Sequence, residues 1–474
     1  MTVDACAQAE LVRTGQVSPL ELVDAAIARI EQADPQLQAL VRERFEAARE
    51  QARGPLPDGP FRGVPLLLKD LGCHLAGDAT HYGTSFLREA DWRSPVDSFL
   101  GQAFARAGFV VLGRTRVPEL GTTVTTEPTA YGPTRNPYDL SRSSGGSSGG
   151  AAAAVAAGMV AVAHASDGGG SIRIPAALCG LVGLKPSRGR VSGGPQVGEA
   201  WAGATVDGAL TRTVRDAAAV LDAVRGPAPG DPYWTEPPRR PYAQEVGADP
   251  GQLRIGLLPA PAEDGLTPDE DGREAVEAAG RVLEGLGHVV EVAAPLALGD
   301  PRFGRHFNRT VAADVALTLE QFGRALGREI EDDELEARNQ AYRGLGRSLS
   351  ATSYLESRAW LGAFTRRVRS WWEGFDVLVT PTVNGPAPVL GWLDAEGDTA
   401  LSGRRVREFM PYTAQFNVTG QPAVSLPLHV GRTGLPVGVQ LVAEHSREDV
   451  LVRLAAQLEQ AMPWADRRPE VFAG

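Results

Sequence analysis

Three features of the 474-residue sequence predict an α/β fold. Short apolar runs of strand length alternate with segments of helical periodicity along the chain. The connections between them are punctuated by Pro and Gly rather than by long polar tracts. Hydrophobic residues make up 43% and charged residues 22%, the proportions of a globular protein with a sizeable core.

The elements follow in order. Ser18-Pro-Leu-Glu21 combines an N-cap, a first-turn proline and a capping-box acid. Val23, Ala26, Ile27 and Ile30 then recur at helical spacing, which predicts an amphipathic helix to about Ala33. It belongs to an N-terminal helical region, residues 1–53, that ends at the Pro/Gly-rich stretch from Gly54 to Gly63. Val64 to Leu71 and Val110 to Gly113 are expected strands, with a helix from Ser98 to Ala107 between them. Ala151 to Val162 reads as a buried helix, and Met159 to Ala165 as its continuation into a strand. Strand, helix and strand recur at Leu253 to Leu258, Pro268 to Leu286 and His288 to Val292. Gly226 to Pro241 is expected to be a surface linker between the two halves.

Composition excludes several classes of function. A net charge of -11, spread along the chain, argues against a nucleic-acid or anionic-membrane partner. The longest small-apolar run, Ala151 to Ala163, falls short of the ~20 residues that span a bilayer. The chain starts without a basic segment and apolar core, so no secretory signal is expected. Cys6, Cys73 and Cys179 are too few and too scattered for a disulfide framework or thiolate metal site, which suits a reduced, cytoplasmic setting. The seven histidines show no metal-binding spacing, and no Gly-x-Ser-x-Gly elbow accompanies them. Neither a metal, a cofactor nor a Ser-His-Asp triad is expected, and His74 and His164 read as packing or hydrogen-bonding residues.

Glycine is densest between Gly145 and Gly194, in Gly145-Gly-Ser-Ser-Gly-Gly150 and Asp167-Gly-Gly-Gly-Ser-Ile-Arg173. Small residues let successive N–H groups converge into an anion-binding nest, which acyl transfer needs for its oxyanion. A flexible linker does not fit, because ordered apolar sequence follows both segments. A nucleotide phosphate loop does not fit either, since neither of its glycine patterns is present. Lys69 is the second feature. On a strand it shares a face with Leu67 and Leu71, where desolvation would lower its pKa and make it a base. Taken alone, the same lysine is better explained as a strand-end residue reaching for water.

Together the motifs resemble the amidase signature family. The matching residues are Gly63 to Asp70, Gly113 to Glu119, Gly132 to Pro137, Gly145 to Gly150, Asp167 to Arg173 and Gly180 to Pro186. Their order and spacing agree from Phe61 to Gly194, and the C-terminal part agrees more loosely through Asp376 to Thr382 and Asn417 to Pro427. The departures are mild: Gly168-Gly169 stand where bulkier residues are common, and Ser187 replaces a threonine.

The resemblance implies one amidase domain over residues 1–474, with a mixed central sheet between helical layers, a signature core at about 61–194 and substrate-pocket loops at about 231–420. It implies Ser171 as nucleophile, Ser147 on a cis peptide as bridging serine, and Lys69 as base. The amides of Gly168, Gly169, Gly170 and Ser171 match the oxyanion hole. Asp167 and Arg173 match an ion pair that clamps the loop, and Ser148 is a candidate support. The partner so implied is a small-molecule amide, with a homodimer left open. Thr125 to Pro128, His164 to Asp167, Gly230 to Trp234 and Phe416 to Leu428 resemble the branch that contains 6-aminohexanoate cyclic-dimer hydrolases. Two rivals stand beside amide hydrolysis: the amidase subunit of a glutamine-dependent tRNA amidotransferase, and a non-catalytic protein that keeps the fold. Trp234, Trp360, Trp371, Trp372 and Trp392 are mostly core by expectation, with one or two available to line a cleft. Such a cleft would favour small apolar or aryl amides over nylon-type cyclic oligomers.

Overall fold

The computed structural model describes residues 3–393 and 397–474. Met1 and Thr2, from the N-terminal stretch read above, and residues 394–396, from the expected pocket-loop region, lie outside the described residues. The described strands are β1 (Leu40–Glu43), β2 (Pro65–Lys69), β3 (Val110–Thr115), β4 (Arg135–Asn136), β5 (Asp139–Ser143), β6 (Val162–Asp167) and β7 (Val182–Lys185). They continue with β8 (Val206–Thr211), β9 (Arg254–Leu257), β10 (Val289–Val292), β11 (Val377–Pro381), β12 (Ala423–Val430) and β13 (Pro436–Ala443). Eleven of them form one sheet in the order β1-β3-β2-β6-β8-β7-β12-β13-β11-β9-β10, and β4 pairs with β5 separately. Pairing in the large sheet is mixed, so the expected α/β architecture with a mixed central sheet is borne out.

The parallel trio β3, β2 and β6 positions the site. A parallel strand covered on both faces reads as a near-continuous apolar run, and Pro65 to Lys69 is buried at every position. Leu66 and Leu68 share a core with Leu100, Phe104, Val220 and Leu454 from helices on one face of the sheet. Leu67 packs on the opposite face with Ile27, Ala48 and the alanines of helix Gly149–Ala156. Strand alternation therefore turns Lys69 toward the face of Leu67, the side that carries helix Gly149–Ala156 and the serines preceding it.

Several local expectations change. The Ser18–Glu21 capping box forms, with the Glu21 amide donating to Ser18 Oγ at 3.2 Å, and the helix continues to Leu37. The N-terminal region is not purely helical: β1 lies between helices Pro19–Leu37 and Phe45–Arg53 and pairs antiparallel with β3 at the sheet edge. Four residues are too few to display an alternating pattern. The alanine helix stops at Ala156, because the chain turns at Gly158 (φ 77°) and enters β6 only at Val162. Among the described residues no helix is long and apolar enough to cross a membrane.

Candidate active site

Lys69 ends β2 and is completely buried. Its Nζ lies 2.9 Å from Ser147 Oγ, 2.9 Å from Ser166 Oγ and 3.3 Å from the Ser166 carbonyl. Ser166 comes from the neighbouring parallel strand β6, and Ser147 from the turn leading into helix Gly149–Ala156. The bland reading of Lys69 as a snorkelling lysine is therefore wrong for this chain. Burial lowers its ammonium pKa from 10.5 to about 7, against the opposing pull of Asp207 and Asp167. The Lys69 backbone N–H donates to His164 Nδ1 at 3.2 Å, while His164 Nε2 lies 3.1 Å from Asp207 Oδ1. His164 thus ties β2 to β6 directly behind the lysine.

The Gly146–Ser147 peptide is cis. A Cβ on Gly146 would lie 2.7 Å from the Thr125 backbone, so the turn before Ser147 has room only for glycine. Ser148 is fully buried, and its hydroxyl donates to the Ser166 carbonyl at 3.3 Å.

Asp167 and Arg173 form a bidentate pair with both side chains fully buried. Arg173 Nε donates to Asp167 Oδ2 and Nη2 to Oδ1, each at 2.9 Å. Its remaining donors reach the Thr413 carbonyl, Gln440 and Asn417. Burial alone would raise the Asp167 carboxyl, but Arg173, Lys185 and Asn417 hold it well below the ordinary carboxylate range. The sequence reading missed Ser166, Thr413, Asn417 and Gln440. Ser166 and Asn417 lie inside motifs that carried the resemblance, yet nothing in their residue type marks a contact across the fold.

The loop between the paired charges holds Ser171, which is 8% exposed. Its hydroxyl makes no hydrogen bond among the described residues. Asp167 Oδ1 already accepts the Gly170 N–H at 2.7 Å, so Gly170 departs from its expected oxyanion role. The amides of Gly168, Gly169 and Ser171 have no partner among the described residues. A Cβ on Gly168 would fall 2.8 Å from the Trp201 ring, which explains why the loop tolerates glycine rather than a bulkier residue there.

Ser147, Gly168 and Ser171 open on one cavity of about 530 Å³, a size typical of small-molecule sites. Its walls are mixed: Tyr82, Trp92, Leu120, Trp201 and Phe322 supply aromatic and apolar surface, and Arg188, Ser192, Glu199 and Asp207 polar surface. None of the five tryptophans considered from the sequence lines it. Trp234 is 67% exposed, Trp360, Trp371 and Trp372 pack in a helical core, and Trp392 stacks edge-on against Phe409. The walls come largely from residues 71–121 and 188–207, outside the expected 231–420 region, with residues 231–233 and 314–325 contributing from within it. Among the described residues no cluster of His, Cys, Asp and Glu could hold a metal ion.

Residues 21–452 match the family described as Amidase. The 6-aminohexanoate-cyclic-dimer hydrolase of Paenarthrobacter ureafaciens is 42% identical over 478 residues, covering 99% of this chain and 97% of its own length. A solved structure of 6-aminohexanoate cyclic dimer hydrolase complexed with substrate superposes with a TM-score of 0.95 at 42% identity, over 99% of each chain. A bacterial aryl acylamidase of the amidase signature enzymes superposes with a TM-score of 0.86 at 27% identity, over 98% of this chain and 97% of that one.

Proposed function

The chain belongs to the amidase signature family and is an amidase, and we propose that it hydrolyses its amide through Ser171, Ser147 and Lys69 with an acyl-enzyme intermediate. The observation that carries this reading is the 2.9 Å contact between the buried Lys69 amine and Ser147 Oγ, beside the cavity that Ser171 lines.

A neutral lysine has two N–H donors and one lone pair. The Ser166 carbonyl can only accept, and Ser166 Oγ can take the second N–H, which leaves the lone pair for the Ser147 hydroxyl. Lys69 then takes the Ser147 proton as Ser147 takes the proton of Ser171. Ser171 Oγ attacks the amide carbon, and the carbonyl oxygen gains the negative charge. The amides of Gly168, Gly169 and Ser171 receive that charge, while Asp167 holds the Gly170 N–H and the loop shape. The proton returns through Ser147 to the nitrogen, the C–N bond breaks and the amine leaves. Water attacks the acyl group by the same relay, releasing acid and regenerating Ser171.

The proposal extends to a cyclic amide, the substrate in the relative's name. That relative's full-length likeness is the ground for placing the cyclic amide ahead of the aryl amides expected from the tryptophans; the aromatic part of the cavity wall comes from Tyr82, Trp92, Trp201 and Phe322 instead. The proposed substrate is a neutral amide flanked by methylene chains, with the cyclic 6-aminohexanoate dimer ahead of an aryl anilide. Purified protein should hydrolyse the dimer with the higher kcat/KM in a comparison with an anilide and a short aliphatic amide. A clear anilide preference would overturn the substrate assignment. Glutamine as the one accepted amide would point to an amidotransferase subunit instead.

A further inference from the structure

His164 and Asp207 stand beside the base, and the proposed relay uses neither. The β2–β6 ladder ends at Leu67 and Ala163. Past that rung the Lys69 amide donates to the His164 ring, with Nδ1 accepting at 3.2 Å in place of a β6 carbonyl. A ring nitrogen that accepts carries no proton, so neutral His164 bears its hydrogen on Nε2. Nε2 lies 3.1 Å from Asp207 Oδ1 and donates to it. His164 is fully buried, and burial lowers the pKa of its ring, which keeps it neutral. Ser166 is the cross-strand partner of Asp207 on β8, and residues two apart on a strand share a face. His164, Ser166 and Asp207 therefore lie on one face, and Ser166 Oγ is itself 2.9 Å from Lys69 Nζ.

Burial is the main influence on the Lys69 amine, Asp207 is the first charge to oppose it and Asp167 the second. Asp167 is tied up in its bidentate pair with Arg173. Asp207 has no Lys or Arg partner among the described residues, and it lines the cavity together with Ser147, Ser166 and Ser171. Other charges around β2 are engaged elsewhere. Arg114 from β3 donates to the Lys69 carbonyl and to Asp78, and Asp70 accepts the His81 amide. The groups that face Asp207 from the segment after β2 are uncharged at neutral pH: burial lowers His74 to about 4, raises Cys73 to about 12 and raises Tyr82 further above its ordinary value. The base gains a proton in the proposed acylation step, and Asp207 is the carboxylate free to meet that new charge.

We propose that His164 and Asp207 are positioning residues for the base: Asp207 fixes the His164 tautomer that anchors the Lys69 amide, and its charge stabilises the ammonium formed as Lys69 takes the Ser147 proton. No proton moves to Asp207, which acts through its field alone. The inference rests on the proposed relay through Ser171, Ser147 and Lys69.

The test follows kcat and KM across the acid limb near pH 7, on the cyclic 6-aminohexanoate dimer or on an anilide if that is turned over faster. Asp207→Asn keeps an acceptor for His164 Nε2 and removes the charge. Its limb should move to lower pH by about one unit, the low end of what a nearby opposite charge does, with kcat falling more than KM changes. Asp70 is also raised to about 7 by burial, but the groups acting on it are Arg114, Asp78 and the amides of His81 and Gly83, so the loss at Asp207 leaves it in place. Asp207→Glu keeps the charge and should hold the limb closer to the wild-type position. His164→Asn offers an acceptor near the place of Nδ1 and should keep more of kcat than His164→Ala, which strands the Lys69 amide. An NMR spectrum of wild-type protein with isotopically labelled histidine reads the tautomer without any change to the site. The resonance that is missing from His164→Asn should report a hydrogen on Nε2. An Asp207→Asn limb at the wild-type position, or a hydrogen on Nδ1 of His164, overturns the inference and leaves the amidase chemistry standing. A limb that survives in Lys69→Ala overturns the base assignment and this inference with it.

Discussion

In the proposed mechanism the chemistry turns on the buried Lys69 amine, whose environment sets the sign of the expected pH dependence. Desolvation disfavours the ammonium, so the group is a free base above about pH 7 and protonated below it. A protonated lysine cannot take the Ser147 proton, and kcat/KM should rise with pH along a limb near pH 7. Lys185 is also lowered to about 7 by burial, but it donates to the Pro186 carbonyl and does not line the cavity. Lys69→Ala should therefore abolish both the rate and the limb. Lys69→Arg should be nearly as inactive, because a guanidinium stays protonated at neutral pH. An arginine variant with near-native turnover in the same pH–rate measurement would remove Lys69 from the role of base. The candidates Lys69, Ser147 and Ser171 were legible in sequence because each sits in a spaced motif. Ser166 was not, since one more serine beside a strand end has no signature until β2 and β6 are laid side by side.

The loop from Asp167 to Arg173 carries a buried charge pair at its two ends, which in the proposed account holds its shape. Both charges are fully buried, so removing one strands the other in a low-dielectric site at a cost of about 3–5 kcal/mol. Arg173→Met should lower the midpoint of chemical denaturation accordingly, and an unchanged midpoint would show that the pair is not what orders the loop. The folded-state Asp167 value lies below that of the unfolded chain, about 3.9. Its ionised form thus stabilises the fold above about pH 4, and that contribution is lost as the pH falls through the folded value. Within the same loop, Gly168→Ala would drive a methyl group into the Trp201 ring. Its kcat/KM should drop at least about 10-fold through displaced oxyanion donors, the scale of losing one such donor being ~10²–10³. Combining it with Trp201→Ala should restore part of the rate. A Gly168→Ala enzyme of normal kcat/KM would contradict the packing. The glycines announced a nest in sequence, but not that the Gly170 amide is held by Asp167.

Across the molecule, the sheet order brings together residues that the sequence keeps far apart. β7, β12 and β13 are adjacent, so Gln440 on β13 and Asn417, just before β12, reach Arg173 from more than 200 positions away. The α/β class, the strands flanking Lys69 and the helix after Ser148 were readable from periodicity and capping. The edge strand β1 was not, being too short to show a pattern, and neither were the cavity walls. Large aromatic residues are equally suited to a helical core and to a cleft, and only packing separates Trp201 from Trp360.

The central claim is that an acyl group passes through Ser171. Rapid-quench mass spectrometry on an amide substrate, with peptide mapping, reads this directly. The account predicts a transient acyl adduct on the peptide that contains Ser171. Ser171→Ala should show no adduct and lose activity by about 10⁶-fold, as in other serine enzymes stripped of their nucleophile. An adduct on another residue, or a Ser171→Ala protein that still turns over at the native rate, would contradict it.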